Sequence, residues 1–193
     1  MSACEAIKTK SEIQSVEEFL MKHYGTHYSD IWRLGINLAL RISDMLNITM
    51  MDAKVALEKD YLVIQEQKTR NIKGKETRVI KLNSISHRIL KRRIEESPSD
   101  IYLFQSHCRN MGERISPLTR QGVYTAFREA GRAISVRMGT HSMRKTRGYM
   151  MYIKGIPLEM ICKMFNHSHP AVTMRYIGLT QEALDKTYED IEL

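Results

Sequence analysis

The sequence predicts an α+β fold, mainly helical, with one small antiparallel β-hairpin inside a single domain. Three observations predict it. Apolar residues recur at helical spacing over most of the 193 residues. The pattern switches to strand-like runs only between residues 61 and 82. No internal repeat, low-complexity tract or linker divides the chain, and its length suits one well-buried core.

Ser11 to Gln14 has the S-x-x-Q form of a capping box, so a helix is expected to start there, with Ile13, Val16, Phe19 and Leu20 on its apolar face. A second helix is expected from about Asp30 to Leu40, with Ile31, Leu34 and Leu38 inward. Residues 41–48 form another short helical piece. Residues 61–67 and 76–82 suit two strands, joined by the basic turn 68–75 with its single glycine. Helical patterns resume over 84–96 and 118–134. Residues 141–193 read as three or four short helices broken at Gly155–Pro157, His169–Pro170 and Gly178.

Composition narrows the class of function. The chain is 42% hydrophobic and 27% charged with few prolines and glycines, a globular rather than a disordered balance. It lacks an apolar run of membrane-spanning length, and its N-terminus lacks a secretory h-region. Cys4, Cys108 and Cys162 are odd in number and far apart, which suits a reducing, cytoplasmic setting better than a disulfide framework. The net charge of +8 is unevenly placed: residues 1–30 sum to −2 and 181–193 to −4, leaving +14 between them. A basic body between acidic ends favours a polyanionic partner, double-stranded DNA foremost.

Four separated pieces carry chemistry: residues 40–44 (LRISD), 67–69 (QKT), 141–144 (HSMR) and 166–176, which run from Asn166-His167-Ser168 to Tyr176. Residues three apart on a helix are neighbours, so His141 and Arg144 share a face. Arg41 ends a hydrophobic stretch, where a guanidinium calls for an anionic partner. Two fixed arginines can grip a phosphate's non-bridging oxygens, and such contacts supply most of the catalysis in phosphoryl transfer. A tyrosine oxygen can then attack phosphorus and split one hard step into two easier ones. Each piece has an ordinary structural explanation as well. Arg41 alone reads as a surface arginine, His141 as a helix cap, and most tyrosines, Tyr149, Tyr152 and Tyr188 among them, pack amphipathically. Cys162, His167 and His169 lack a fourth ligand and any C-x-x-C pair, so no metal is expected.

In this order and spacing the four pieces resemble the tyrosine recombinases, the phage integrase family, over roughly residues 28–185. That resemblance implies a covalent DNA strand-exchange enzyme without a cofactor. Arg41 and Arg144 would bind the scissile phosphate, and His141 and His167 would hydrogen-bond to it, one of them accepting the tyrosine proton. Lys68 would protonate the departing 5′ oxygen, although Lys73 and Lys75 share its hairpin. Tyr176, nine residues beyond His167, would be the nucleophile, and Asp44 an organiser of neighbouring side chains. Arg70, Lys73, Lys75 and Lys145 are the expected DNA-backbone contacts. Where the family usually has Leu-Gly before the second-box histidine, this chain has Phe165-Asn166, and Asn tolerates the left-handed backbone that Gly would adopt. His169 is a second candidate for the phosphate contact.

The expected organisation is one catalytic domain: a helical extension over 1–27, a core over 28–180 and a tail helix over 181–193, with no separate core-binding domain. In size this is similar to the recombinases that invert fimbrial promoters. The resemblance implies a homotetramer on two DNA sites, and a monomer or weak oligomer without DNA. Ala183, Leu184, Tyr188 and Ile191 form an apolar stripe suited to docking on a neighbour or on the chain's own core. Two other functions fit the same residues: a type IB topoisomerase-like nicking and resealing enzyme, and a DNA-binding regulator without turnover.

Overall fold

The structure, a computed structural model, describes residues 4–65, 77–107 and 115–179. Helix α1 (Lys10–Tyr24) does begin at a capping box, but two residues earlier than the sequence suggested: Thr9 accepts from the Glu12 backbone, and the Glu12 carboxylate returns to the Thr9 amide. A carboxylate at the positive helix end outcompetes the amide of Gln14 for that role. Helix α2 (Thr26–Leu38) also starts before the expected Asp30, because Gly25 at φ 85° lets the chain reverse directly out of α1. It ends at Ala39, which is held in the left-handed region at φ 52°.

Beyond that turn come α3 (Ile42–Leu46) and α4 (Met50–Lys59), the latter capped by Thr49 and Asp52. Helix α4 covers β1 (Tyr61–Ile64), which pairs antiparallel with β2 (Arg78–Lys81) so that Leu62 faces Ile80 and Val63 faces Val79. The basic tip of this hairpin, with Lys68, Arg70, Lys73 and Lys75, lies outside the described residues, as do Cys108 and the tail 181–193. Helices α5 (Ser84–Glu96) and α6 (Arg120–Ala133) match their expected positions to within two residues. The C-terminal end supplies α7 (Ser142–Ile153), α8 (Leu158–Phe165) and α9 (Pro170–Ile177).

Helix α2 runs through the middle of the domain, with α1, α5 and α7 packed on it. Its Trp32 is fully buried, edge-on to Phe127 of α6 at 5.5 Å, and donates its indole N–H to the Ile13 carbonyl at 3.1 Å. Burying such an aromatic contributes several kcal/mol, so α1, α2 and α6 hold one another. Helices α2 and α7 cross at Gly35, where an added Cβ would meet the Met143 sulfur at 2.0 Å. A second, smaller core of Ala39, Ile161, Phe165 and Ile177 lies under α8 and α9. Helix α7 reaches both cores: Met143 belongs to the large one, and Tyr149 and Met151 pack on the small one. The site is built where these two cores meet. Among the described residues no helix is long and apolar enough to cross a membrane.

Candidate active site

The described candidates lie at helix ends or within a turn of them. Arg41 is the N-cap of α3, in extended backbone directly after the Ala39 turn. His141 is the N-cap of α7, and Arg144 lies one turn further in. His167 follows the C-cap of α8. There Asn166 takes the left-handed conformation, φ 54° and ψ 45°, and the His167 amide donates back to the Cys162 carbonyl at 3.1 Å. Asparagine thus makes the turn for which glycine is the usual choice. Tyr176 lies near the end of α9, whose start is set by Pro170 at its first position.

Arg144 is 2% exposed, and its guanidinium is fixed on both sides. It donates to the Ala39 carbonyl at 2.8 Å and to the Phe165 carbonyl at 2.6 Å, and it lies 4.8 Å from the centre of the Phe165 ring. These bonds tie the end of α2 to the end of α8, and the Ala39 carbonyl serves two arginines, since Arg78 also donates to it at 3.2 Å. Arg41 is half-buried with Asp44 at 4.0 Å, and the Asp44 side chain is fully enclosed.

Tyr176 is wedged among three rings, with centroids 5.1 Å from His167, 5.3 Å from Phe165 and 6.2 Å from His141. Its hydroxyl lies 3.1 Å from His141 Nδ1. Burial pushes the phenol up to about 12, against the downward pull of the Arg144 and Arg41 guanidiniums. His141 is open to solvent on one edge, but the atoms crowded round it displace water. That loss, followed by the charges of Arg144, Arg120, Lys145 and Arg41, holds its imidazole below its ordinary value. His167 is lowered by burial and by Arg144 and Arg41, and its Nδ1 is engaged by Thr173 Oγ1 at 3.0 Å. Both imidazoles are therefore neutral at neutral pH, which leaves each able to take up a proton.

The structure thus brings together Arg41, Asp44, His141, Arg144, His167 and Tyr176. His169 is exposed at the start of α9, Tyr152 is exposed, and Tyr149 packs on the small core with Lys8 over its ring. Lys145 sits with its ammonium 5.3 Å from the Tyr176 ring centre and bonded to the Cys4 carbonyl at 2.7 Å. Sequence reasoning missed Thr173, Arg78, Arg120 and the N-terminal residue Cys4. Thr173 alone carried a signal, standing one helical turn before Tyr176 on the same helix as that tyrosine. The others reach the site only through tertiary packing. Among the described residues no group of His, Cys, Asp and Glu could hold a metal ion.

A mainly helical domain that gathers one buried and one half-buried arginine, two histidines and a recessed tyrosine is suited to phosphate chemistry. The profile of the phage integrase family matches residues 9–183, and the chain belongs to that family, the family of the tyrosine site-specific recombinases. It is 32% identical to the probable integrase/recombinase YoeC of Bacillus subtilis (strain 168), over 98% of this chain and 97% of that one. It is 28% identical to tyrosine recombinase XerA of Pyrococcus furiosus, over 80% of this chain but 51% of XerA, so it spans about half the length of that relative. Among solved structures, the crystal structure of XerA recombinase superposes with a TM-score of 0.71 at 17% identity, over 98% of this chain and 65% of that one. The Tn1549 transposon integrase in complex with a circular intermediate DNA gives 0.69 at 16% identity, over 99% of this chain and 67% of the integrase. At these identities the superpositions speak for the fold.

Proposed function

We propose that this chain is the catalytic domain of a site-specific DNA recombinase that cuts and rejoins strands through a 3′-phosphotyrosyl link on Tyr176. The observation that carries the reading is the Tyr176 hydroxyl at 3.1 Å from His141 Nδ1, with the Arg144 guanidinium fixed beside it. A phenol held near 12 is a poor nucleophile by itself, and a phosphodiester entering between Arg41 and Arg144 changes that. As the Tyr176 oxygen bonds to phosphorus, its proton passes to the neutral His141. The negative charge growing on the phosphoryl oxygens falls to the two guanidiniums, of which Arg144 is already held in place by the Ala39 and Phe165 carbonyls. His167, held at Nδ1 by Thr173, presents Nε2 as a further hydrogen-bonding group.

The bond from phosphorus to the 5′ oxygen breaks, and Lys68 on the hairpin supplies the proton to that leaving oxygen. Because the phosphotyrosine conserves the bond energy, a partner strand's 5′ hydroxyl can attack it and release Tyr176 in the reverse sequence. Exchange of two duplexes then requires four protomers on two sites. The +14 charge of residues 31–180 supports the DNA partner, with Arg70, Lys73 and Lys75 at the hairpin tip as backbone contacts.

The test is a nicked duplex from which the cleaved fragment diffuses away, drawn from the DNA that flanks the gene. A detergent-resistant adduct should map by mass spectrometry to the peptide containing Tyr176 and vanish in Tyr176→Phe. Firm binding without an adduct on any flanking fragment would instead favour a regulator without turnover. Plasmid relaxation without recombinant products would favour nicking and resealing.

A further inference from the structure

We infer that Lys145 is a positioning residue for Tyr176, held over the nucleophile's ring by the N-terminal segment, rather than a DNA-backbone contact. The inference rests on the reading of Tyr176 as the nucleophile. Lys145 follows Arg144 in the first turn of α7, and a lysine there would ordinarily extend into solvent. Here its ammonium is half-buried, 2.7 Å from the Cys4 carbonyl and 5.3 Å from the Tyr176 ring centre.

The carbonyl that holds it is itself fixed. The Glu5 amide donates to the Arg137 carbonyl at 2.8 Å, and the Glu5 carboxylate takes Arg137 Nε at 2.9 Å. The Ile7 amide donates to Thr146 Oγ1 at 2.8 Å, and the Ile7 side chain is fully buried. Residues 4–7 are thus tied both to the strand of chain that leads into α7 and to α7 itself. A long lysine side chain loses rotamer freedom when it is held, and an acceptor already in place makes that loss smaller.

The consequence falls on Tyr176. Helix α9 is short and packs chiefly on α8 and α7, so the pose of the tyrosine depends on what touches its ring. A cation near an aromatic ring is attracted by its quadrupole, and the attraction grows when the phenol gives up its proton. The Lys145 contact is therefore stronger along the reaction than before it, which is the condition for helping catalysis rather than binding.

The experiment compares Lys145→Met and Lys145→Arg in the full chain by three measurements. The first is the rate of adduct formation on the nicked duplex at saturating DNA. Lys145→Met should slow it about tenfold, and Lys145→Arg should restore most of it. The second is DNA affinity in the Tyr176→Phe background, which should change less than about twofold. The third, made without DNA, follows the Tyr176 ring carbons and the titration of His141 by NMR. Lys145→Met should displace the ring resonances and raise the His141 midpoint, because Lys145 is one of the cations facing it along with Arg144, Arg120 and Arg41.

A weakened affinity with a salt slope smaller by about one, at an intact saturated rate, would make Lys145 a phosphate contact and overturn the inference. If wild-type protein forms no adduct, the nucleophile reading fails separately. Unmoved Tyr176 resonances in Lys145→Met would then show that the lysine does not set the ring, and moved ones would uphold the placement.

Discussion

Gly148→Ala puts the placement of Tyr176 under direct test, because two physical effects predict opposite signs. Gly148 lies in the interior of α7, where exchange of glycine for alanine ordinarily stabilises a helix by about 1 kcal/mol. Here the added Cβ would lie 2.6 Å from both Cε2 and Cζ of Phe165 and 2.7 Å from Cγ2 of Ile177. Carbon atoms rest at about 3.5–4.0 Å, so each neighbour must retreat by about 1 Å. Both are fully buried in the small core, and overpacking such a site costs about 1–3 kcal/mol. The net expectation is a destabilisation of about 1 kcal/mol, which lowers Tm by roughly 2–4 °C in a chain of this size.

The effect on activity should be larger. Phe165 carries the Arg144 guanidinium on its ring and touches Tyr176, and Ile177 is the next residue after that tyrosine. A displacement of about 1 Å at the reacting group costs on the order of a hundredfold in rate. Calorimetry and adduct formation on the nicked duplex read the two effects separately. Adding Phe165→Leu to relieve the clash should recover part of the lost Tm. A variant that melts higher than wild type and forms adduct at the same rate would refute the reasoning. It would mean that α7 and the α8–α9 pair are not packed as closely as Gly148 implies.

Three further expectations follow from single contacts. Arg144→Lys keeps the charge but not the fork that serves the Ala39 and Phe165 carbonyls, so it should destabilise by about 1–3 kcal/mol in urea and leave adduct formation barely detectable. Thr173→Val preserves shape and frees His167 Nδ1; adduct formation should slow about tenfold, the equivalent of one lost hydrogen bond, while DNA affinity stays the same. Asp30 is raised to about 6 by burial: its Oδ1 pairs with Arg92, but its Oδ2 is enclosed without a hydrogen-bond partner among the described residues. The native state therefore keeps a proton that the unfolded chain, titrating near 3.8, releases. Stability from this group is full below about pH 4 and declines toward pH 6, by up to about 3 kcal/mol. Urea midpoints at several pH values should show that decline flattened in Asp30→Asn, and an unchanged slope in the variant would assign it to other groups.

Much of this molecule was legible in the order of its residues. Helical spacing located α5 and α6 to within two residues, and the switch to alternation found the hairpin, because periodicity is a local property of the chain. The six candidates Arg41, Asp44, His141, Arg144, His167 and Tyr176 could be named because their spacing repeats a known pattern. The fitness of Asn166 for a left-handed turn followed from its side chain alone. The first capping box was misplaced by two residues, since Ser11–Gln14 and Thr9–Glu12 compete for one helix end and only the chain's approach from residues 4–8 decides between them.

Tertiary structure alone decided the rest. Nothing in the sequence says that the Ala39 and Phe165 carbonyls, 126 positions apart, hold one guanidinium, or that residue 4 anchors a lysine at residue 145. Nor does it say that Gly35 and Gly148 are sites of close helix approach rather than weak points in two helices. Such facts depend on which helix ends converge in space, and that is fixed by the packing of distant apolar faces. Local pattern supplies the candidate side chains; the meeting of the two cores sets their distances, their burial and hence their proton affinities.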